Sequence, residues 1–176
     1  MAAFPAGKPL VSVDWLAAEL MRQAEEKAIR ASAPPDPAAP PPLTILDASW
    51  FMPATGRSGA AEFAAGPRIP GSRFFDIDAV CDKASGLPHM LPSPPVFAAA
   101  AGALGIVSPS SPVLIYDRAG IFSAPRAWYT FLALGHDPAC VAVLDGGLPA
   151  WVAAAGEGGG ARLETGPADG AALAAP

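Results

Sequence analysis

One acidic side chain, Asp117, stands where α/β proteins often place a ligand or a reactive group. It follows the apolar run Val113–Tyr116, which is typical of a buried parallel strand, and it begins a seven-residue loop, 117–123. Ser123 can cap the helix after this loop, and Pro125 fits its first turn. Because loop amides and a helix N-terminus point toward the end of such a strand, a carboxylate at this position can accept their N–H groups.

Two cysteines, Cys81 and Cys140, show neither C-x-x-C spacing nor a histidine at metal-ligand spacing. The sequence therefore predicts no disulfide framework, no metal site, no cofactor and a reducing compartment. Cys140 directly precedes an apolar strand-like run, where burial raises the pKa of a thiol and makes it inert. Cys81 lies beside Asp82, whose negative charge disfavours a thiolate, so it remains only the weaker candidate for a nucleophile.

Several other polar residues are expected to be structural. A phosphatase site, in which a cysteine loop closes on an arginine, is excluded because Asp117 is no nucleophile and Arg126 lies too far along the helix. We expect Arg126 to hold a nearby carbonyl or carboxylate, and Asp76 to have a structural role. His136 follows Gly135, the predicted end of the helix, and is expected on the surface, where a helix C-terminus favours positive charge.

The composition fits one globular domain with small-molecule or protein partners. The 176 residues are 52% hydrophobic with a mean hydropathy of +0.34, which is enough apolar material for a core. A net charge of −5 disfavours nucleic acid and anionic membranes as partners. No apolar run approaches the roughly 18 residues of a membrane span. Without a secretory signal, we expect the cytoplasm, with mitochondria as the alternative.

Strand-like and helical segments alternate along the chain. This alternation predicts βαβ units, and therefore an α/β fold with a central parallel β-sheet and helices on both faces. The predicted strands are Leu43–Leu46, 74–78, 113–116 and 141–144, after a β-like start at Val11 and Val13. The predicted helices are one capped by Asp14, then 62–65, 96–104, 123–135 and 148–155.

Glycine and proline mark the expected domain boundaries. We interpret residues 1–9 as an N-terminal extension and 10–155 as the domain. Within it, 31–42 is a Pro/Ala-rich insertion, in which proline excludes helix and favours an extended spacer. Residues 156–176 are Gly/Ala-rich and are interpreted as a tail or the start of an interdomain linker.

Six short motifs occur in an order that resembles the rhodanese-like family. They are LVSVDWL, LDASWFMP, RIPGSRFFDID, HMLPS, IYDRAGIFSAPRAW and LDGGLPAW. More narrowly, residues 10–155 resemble the N-terminal, non-catalytic half of two-domain thiosulfate/3-mercaptopyruvate sulfurtransferases, which implies a rhodanese-like fold. The chain departs from the family pattern at Arg68, where a histidine usually precedes I-P-G, and in the added segment 31–42.

The resemblance assigns roles to three residues. In the active domain of such enzymes a persulfide-forming cysteine begins the loop that Asp117 begins here. Since a carboxylate cannot take up and pass on a sulfur atom, we interpret Asp117 as occupying a vacant nucleophile position. The resemblance also implies that Asp78 and His89 are lent across a domain interface, where they join a serine of the second domain to polarise a carbonyl or move a proton.

Two functions are compatible with the sequence. The first is the N-terminal half of a sulfurtransferase that passes sulfane sulfur to cyanide or thiols. This half would be inactive alone, with a C-terminal rhodanese domain and a small-molecule sulfur donor as its partners. The second is a free-standing, catalytically inactive rhodanese-like binding or regulatory module. A reading frame that continues past Pro176 into a C-G-[ST]-G-x-T-like loop would support the first, and a stop codon the second. A weaker third function is single-domain activity through Cys81.

Overall fold

Five strands form one parallel sheet in the computed structural model, which describes residues 4–5, 8–31, 39, 41–156, 160–168 and 172. The strands are β1 (Leu10–Val11), β2 (Thr44–Asp47), β3 (Arg73–Phe74), β4 (Val113–Tyr116) and β5 (Val141–Leu144). Their order is β1-β5-β4-β2-β3, and every pair is parallel. The apolar runs of β4 and β5 are buried at every residue. The predicted parallel α/β fold is therefore confirmed.

Helices cover both faces of this sheet. They are α1 (Val13–Arg30), α2 (Gly59–Ala65), α3 (Pro94–Ala103), α4 (Ala124–Ala133) and α5 (Gly147–Gly156), with short 3-10 turns at Pro53–Thr55 and Pro138–Cys140. Phe97 of α3 and Phe131 of α4 belong to one buried cluster, and Leu16 of α1 and Trp151 of α5 belong to another. The two clusters are the two layers of core that a doubly covered parallel sheet requires.

The first helix begins differently from the prediction. Ser12, not Asp14, is its N-cap, since the hydroxyl of Ser12 accepts a hydrogen bond from the amide of Trp15 at 3.2 Å. Asp14 lies in the first turn, where a negative charge favours the helix dipole, and Val13 is helical rather than extended.

The strand predicted at 74–78 is also shorter. Strand pairing ends at Phe74, because the Asp76 carboxylate accepts the amides of Asp78 and Ala79 at 2.8 and 3.1 Å and turns the chain. The structural role expected for Asp76 is confirmed.

The expected surface position of His136 is wrong. Gly135 has a left-handed φ of +88°, so the chain turns back after α4 and carries the imidazole inward. His136 is only 5% exposed, its Nε2 lies 2.9 Å from the carbonyl of Ser111, and its ring packs edge-on against Phe131. Burial lowers the pKa of His136, because the charged imidazolium loses its hydration.

The chain beyond α5 is tied back to the domain by a buried arginine. Arg68 and Glu164 exchange backbone hydrogen bonds of 2.9 Å and form an ion pair through the guanidinium of Arg68. The same guanidinium, 2% exposed, donates to the carbonyls of Phe63 and Gly166. Residues 32–38 and 40 of the predicted insertion lie outside the described residues. The same holds for 157–159, 169–171 and 173–176 of the predicted tail.

Replacing Arg68 by Met should lower the free energy of unfolding by about 2 kcal/mol, because it removes the charged donor of hydrogen bonds to Glu164 and to buried or part-buried carbonyls. Chemical denaturation measures this loss. Arg57→Met is the matched control, since Arg57 also pairs with a glutamate, Glu62, but on the surface. Its effect should be much smaller. Equal losses in the two variants would refute the assignment of Arg68 as the anchor of residues 160–168.

The lowered pKa of His136 predicts a specific dependence of stability on pH. The unfolded state takes up a proton at the ordinary histidine pKa of about 6.5, whereas the folded state resists it to lower pH. The stabilisation is therefore complete above that pKa and is lost as pH falls from about 7 to 5. In His136→Gln the free energy of unfolding, measured by denaturant titration across this range, should depend less on pH. An unchanged slope would contradict the assignment.

Candidate functional site

Three neighbouring strands each lead into an aspartate at the same edge of the sheet. Asp47 is the last residue of β2, Asp117 follows β4 and Asp145 follows β5. Asp47 and Asp117 are buried, whereas Asp145 is exposed. Since ligands of open α/β sheets bind at the carboxyl ends of the strands, this edge is the natural place for a site.

The carboxylate of Asp117 is enclosed by the loop that it begins. It is 1% exposed and accepts five backbone N–H groups, at distances from 2.6 to 3.2 Å. The donors are the amides of Ala119, Ile121, Phe122, Ser123 and Ala124. The last of them belongs to the first residue of α4, so the carboxylate also lies at the positive end of that helix dipole. The expectation that Asp117 accepts the loop amides is confirmed.

This arrangement changes the predicted role of Ser123. Ser123 is the residue before α4, but its side chain makes no capping hydrogen bond. The second residue of the helix is Pro125, which has no N–H, and the amide of Arg126 donates to the carbonyl of Ser123. The hydroxyl of Ser123 accepts the amide of Trp50 at 3.0 Å instead.

The Asp117 loop also depends on an unusual backbone conformation at one residue and on the close packing of α5 against it. Ile121 has a φ of +80°, which is uncommon for a β-branched residue, and its amide is fixed on Asp117. A Cβ added at Gly147, which starts α5, would lie 2.4 Å from the carbonyl oxygen of Asp117. The second glycine of LDGGLPAW therefore permits α5 to pack against the loop.

A second buried group, around Asp47, supports the loop from the side of β2. Arg118 donates to Asp47 at 3.0 Å through its side chain and to the hydroxyl of Ser49 at 2.9 Å through its backbone. The amide and the hydroxyl of Ser49 both donate to Asp47. Burial raises the pKa of the Asp47 carboxyl, and the Arg118 guanidinium opposes that rise. The residues of this group are not recognisable as part of a site from the sequence. The one sequence feature that marks them is that the motif L-D-A-S-W comes at the end of a predicted strand.

Asp78 and His89 lie together, as the sequence resemblance implied, in the loop between β3 and α3. Nδ1 of His89 is 2.9 Å from Oδ1 of Asp78, an electrostatic contact rather than a well-aligned hydrogen bond. The His89 side chain is 28% exposed and the Asp78 side chain is 55% exposed. Nδ1 is enclosed, although the His89 side chain as a whole is partly exposed. The pair thus places a partly exposed imidazole beside an exposed carboxylate.

Arg126 holds the backbone of this pair. Its guanidinium donates to the carbonyl of His89 and, at 3.1 Å, to the hydroxyl of Thr130 on the next turn of α4. His89 has a left-handed φ of +56°, which a tertiary contact must stabilise. The structural role predicted for Arg126 is confirmed, and it includes fixing the backbone of a candidate site residue.

Trp50 connects the two parts of the site. Its indole N–H donates to Oδ2 of Asp78 at 2.9 Å, and its ring packs edge-on against His89 at 4.7 Å between centroids. The indole also stacks with Phe122 of the Asp117 loop at 6.3 Å between ring centroids. Asp117 has no hydrogen bond or ion pair with Asp78 or His89 among the described residues, so the connection is indirect.

The two cysteines are free and neither is part of the Asp117 loop. Cys81 is partly exposed, and its thiol donates to the carbonyl of Asp78 at 3.1 Å. Burial, reinforced by Asp137, raises the pKa of Cys140, in agreement with its expected inertness. In the part of the chain that the structure describes, no cluster of three metal-ligating side chains occurs, and no helix is long and apolar enough to cross a membrane.

Comparisons with known proteins agree with this geometry. Residues 41–154 match the model of the rhodanese-like domain family. The chain is 44% identical over 144 residues to thiosulfate/3-mercaptopyruvate sulfurtransferase 1, mitochondrial, of Arabidopsis thaliana, covering 82% of this chain and 32% of that protein. It is 44% identical over 147 residues to 3-mercaptopyruvate sulfurtransferase of Homo sapiens, with coverages of 82% and 43%.

A solved structure shows the same fold. The crystal structure of SseA from Escherichia coli, described as a 3-mercaptopyruvate sulfotransferase with the rhodanese fold, aligns with a TM-score of 0.67 and 34% identity. The alignment covers 92% of this chain and 52% of that chain, which confirms the predicted rhodanese-like fold. The chain thus spans between about a third and a half of the length of these relatives.

Asp117→Asn should destabilise the fold by about 2 kcal/mol or more, because an amide offers one oxygen where five N–H groups need a charged acceptor. Differential scanning calorimetry measures the loss. Asp145→Asn is the matched control, since Asp145 follows the adjacent strand but is exposed, and its melting temperature should stay near that of the wild type. A stable Asp117→Asn variant would contradict the central role of this carboxylate.

Proposed function

Because the chain belongs to the family of rhodanese-like domains, we propose that it is the N-terminal, non-catalytic half of a thiosulfate/3-mercaptopyruvate sulfurtransferase. A second rhodanese domain would then carry the persulfide cysteine. The names of the relatives support the chemistry, and the fraction of their length that the chain spans supports the assignment to a half. Of the two candidate compartments, the mitochondrion has support from the mitochondrial relative in Arabidopsis thaliana.

The observation that carries this proposal is the saturated carboxylate of Asp117. Sulfane sulfur transfer needs a thiolate that attacks one sulfur and later leaves it, and amides at a helix N-terminus stabilise such a thiolate. Here the same amides are donated to Asp117. The loop therefore keeps the shape of an anion-binding cradle while its own carboxylate fills it, and no sulfur can be held there.

The exposed surface near Trp50 supports the presence of a second domain. Four large apolar side chains, each at least 41% exposed, lie in the same three segments as Trp50, Asp78 and Asp117. They are Met52, Leu87, Met90 and Phe122. Exposed large apolar side chains near polar groups are typical of an interface, so docking of a domain on these segments would bury them and bring its loop to His89.

The reaction that we propose for the complete enzyme transfers sulfur first to the enzyme and then to an acceptor. The thiolate of the second domain attacks the sulfur of 3-mercaptopyruvate, and the electron pair of the broken C–S bond forms the pyruvate enolate. The enolate takes up a proton to give pyruvate, and the persulfide then yields its outer sulfur to cyanide or a thiol. Asp78 and His89 are suited to the proton movement, since an imidazole beside a carboxylate is a typical general acid or base.

A chimera tests the proposal, in which residues 10–155 replace the matching half of the human relative. The chain alone should show no turnover of 3-mercaptopyruvate or thiosulfate, and the chimera should be active. Asp78→Asn and His89→Gln in the chimera should each lower kcat by about a hundredfold or more, the usual contribution of a general acid or base. The measurement is a steady-state assay of thiocyanate and pyruvate formation.

Asp82→Asn is the matched control, because Asp82 lies in the same exposed loop and its carboxylate accepts the amide of Ala84, a hydrogen bond that an asparagine side chain can also accept. Its kcat should be close to that of the unmodified chimera. A folded chimera without activity, or one that is insensitive to Asp78 and His89, would favour the free-standing binding module instead. Turnover by the chain alone that disappears in Cys81→Ser would assign the activity to Cys81.

A further inference from the structure

Trp50 is the one residue of the described chain that contacts Asp78, His89 and the Asp117 loop together. We propose that Trp50 is a positioning residue, whose indole N–H holds the Asp78 carboxylate against Nδ1 of His89 and thereby determines which nitrogen of the imidazole carries the proton. The catalytic meaning of this inference rests on the proposed function, but the structural claim can be tested without it.

The Asp78 carboxylate needs such a contact. It is 55% exposed, and an exposed carboxylate next to a histidine is easily rotated into water, since surface ion pairs contribute little. Oδ1 faces Nδ1 of His89 and Oδ2 accepts the indole N–H, both at 2.9 Å. With both oxygens engaged, the side chain has one favoured orientation. Removal of the indole donor leaves only the poorly aligned contact with His89.

Trp50 is itself fixed by the buried part of the site. Its backbone amide donates to the hydroxyl of Ser123 at 3.0 Å, and its ring contacts both His89 and Phe122. That hydroxyl makes no capping hydrogen bond to α4, and the amide of Ser123 is itself held by Asp117. Trp50 therefore connects the Asp117 loop to Asp78 and His89.

The consequence is a defined tautomer. A neutral imidazole whose Nδ1 faces a carboxylate keeps its proton on Nδ1, so Nε2 becomes the acceptor. Nδ1 of His89 is enclosed, so a group from outside the domain cannot use it as a partner. A histidine released from Asp78 would lose this preference.

Nitrogen-15 NMR of the histidine rings of the 176-residue chain tests the inference, at a pH about two units above the ordinary histidine pKa. The chain has only two histidines, and buried His136, held on Ser111, serves as the internal reference. We expect the Nδ1–H tautomer at His89 in the wild type. In Trp50→Phe, which keeps a ring but removes the N–H donor, the ratio of tautomers should shift about tenfold toward Nε2–H.

Two further variants separate the hydrogen bond from packing. Asp78→Asn should shift His89 as far as Trp50→Phe does, whereas Phe122→Leu, which alters only the stacking, should leave the tautomer unchanged. Retention of the Nδ1–H form in Trp50→Phe, or its absence in the wild type, would overturn the inference. Because this readout involves no turnover, it can fail while the sulfurtransferase proposal stands, and the reverse also holds.

Discussion

The hydrogen bonds of one buried carboxylate organise the functional edge of this domain. Five backbone amides, including the first of α4, converge on Asp117. The amides of Ser123 and Ala124 would otherwise be buried, unpaired donors, and such donors are costly. The loop conformation, the left-handed backbone at Ile121 and the close approach of α5 at Gly147 all accompany this arrangement. The same carboxylate excludes a thiolate, so the feature that stabilises the loop also removes its capacity for sulfur chemistry.

The site divides into a rigid interior and an accessible exterior. In the interior, buried side chains form hydrogen bonds with each other or with the backbone: Arg118 pairs with Asp47, and Asp117 accepts backbone amides. One guanidinium nitrogen of Arg118 is buried without a hydrogen-bond partner. Asp78 is exposed and His89 is half-buried, and Trp50 and Arg126 connect the two residues to this interior. This division, a filled cradle beside an accessible carboxylate and imidazole, is the arrangement on which the proposed function rests.

Much of this could be predicted from the sequence, and the reasons differ by residue. Val113–Tyr116 and Asp117 follow from local patterns, because a β-branched apolar run and a loop before a proline-containing helix start are encoded within a few residues. The pairing of Asp78 with His89 came from the family resemblance. The contact of Trp50 with Asp78 spans 28 residues, and nothing in either local pattern reveals it.

The predictions from the sequence that differ from the structure have equally specific causes. His136 was assigned to the surface because a helix end usually faces solvent, but a left-handed glycine turned the chain inward. The strand at 74–78 was overextended because Asp76 uses its side chain to start a turn, which a hydrophobic pattern does not show. Arg68 looked like a simple departure from the family, yet it anchors residues 160–168, about 96 positions away in the case of Glu164.

The most direct test of the central claim is whether the chain can carry sulfur at all. The purified protein would be incubated with 3-mercaptopyruvate or thiosulfate, and its intact mass measured, with the Escherichia coli relative as a positive control. The account predicts no added sulfur atom, because Asp117 fills the cradle and neither cysteine lies in it. A single added sulfur that cyanide removes would contradict it, since a persulfide would then form elsewhere in this domain.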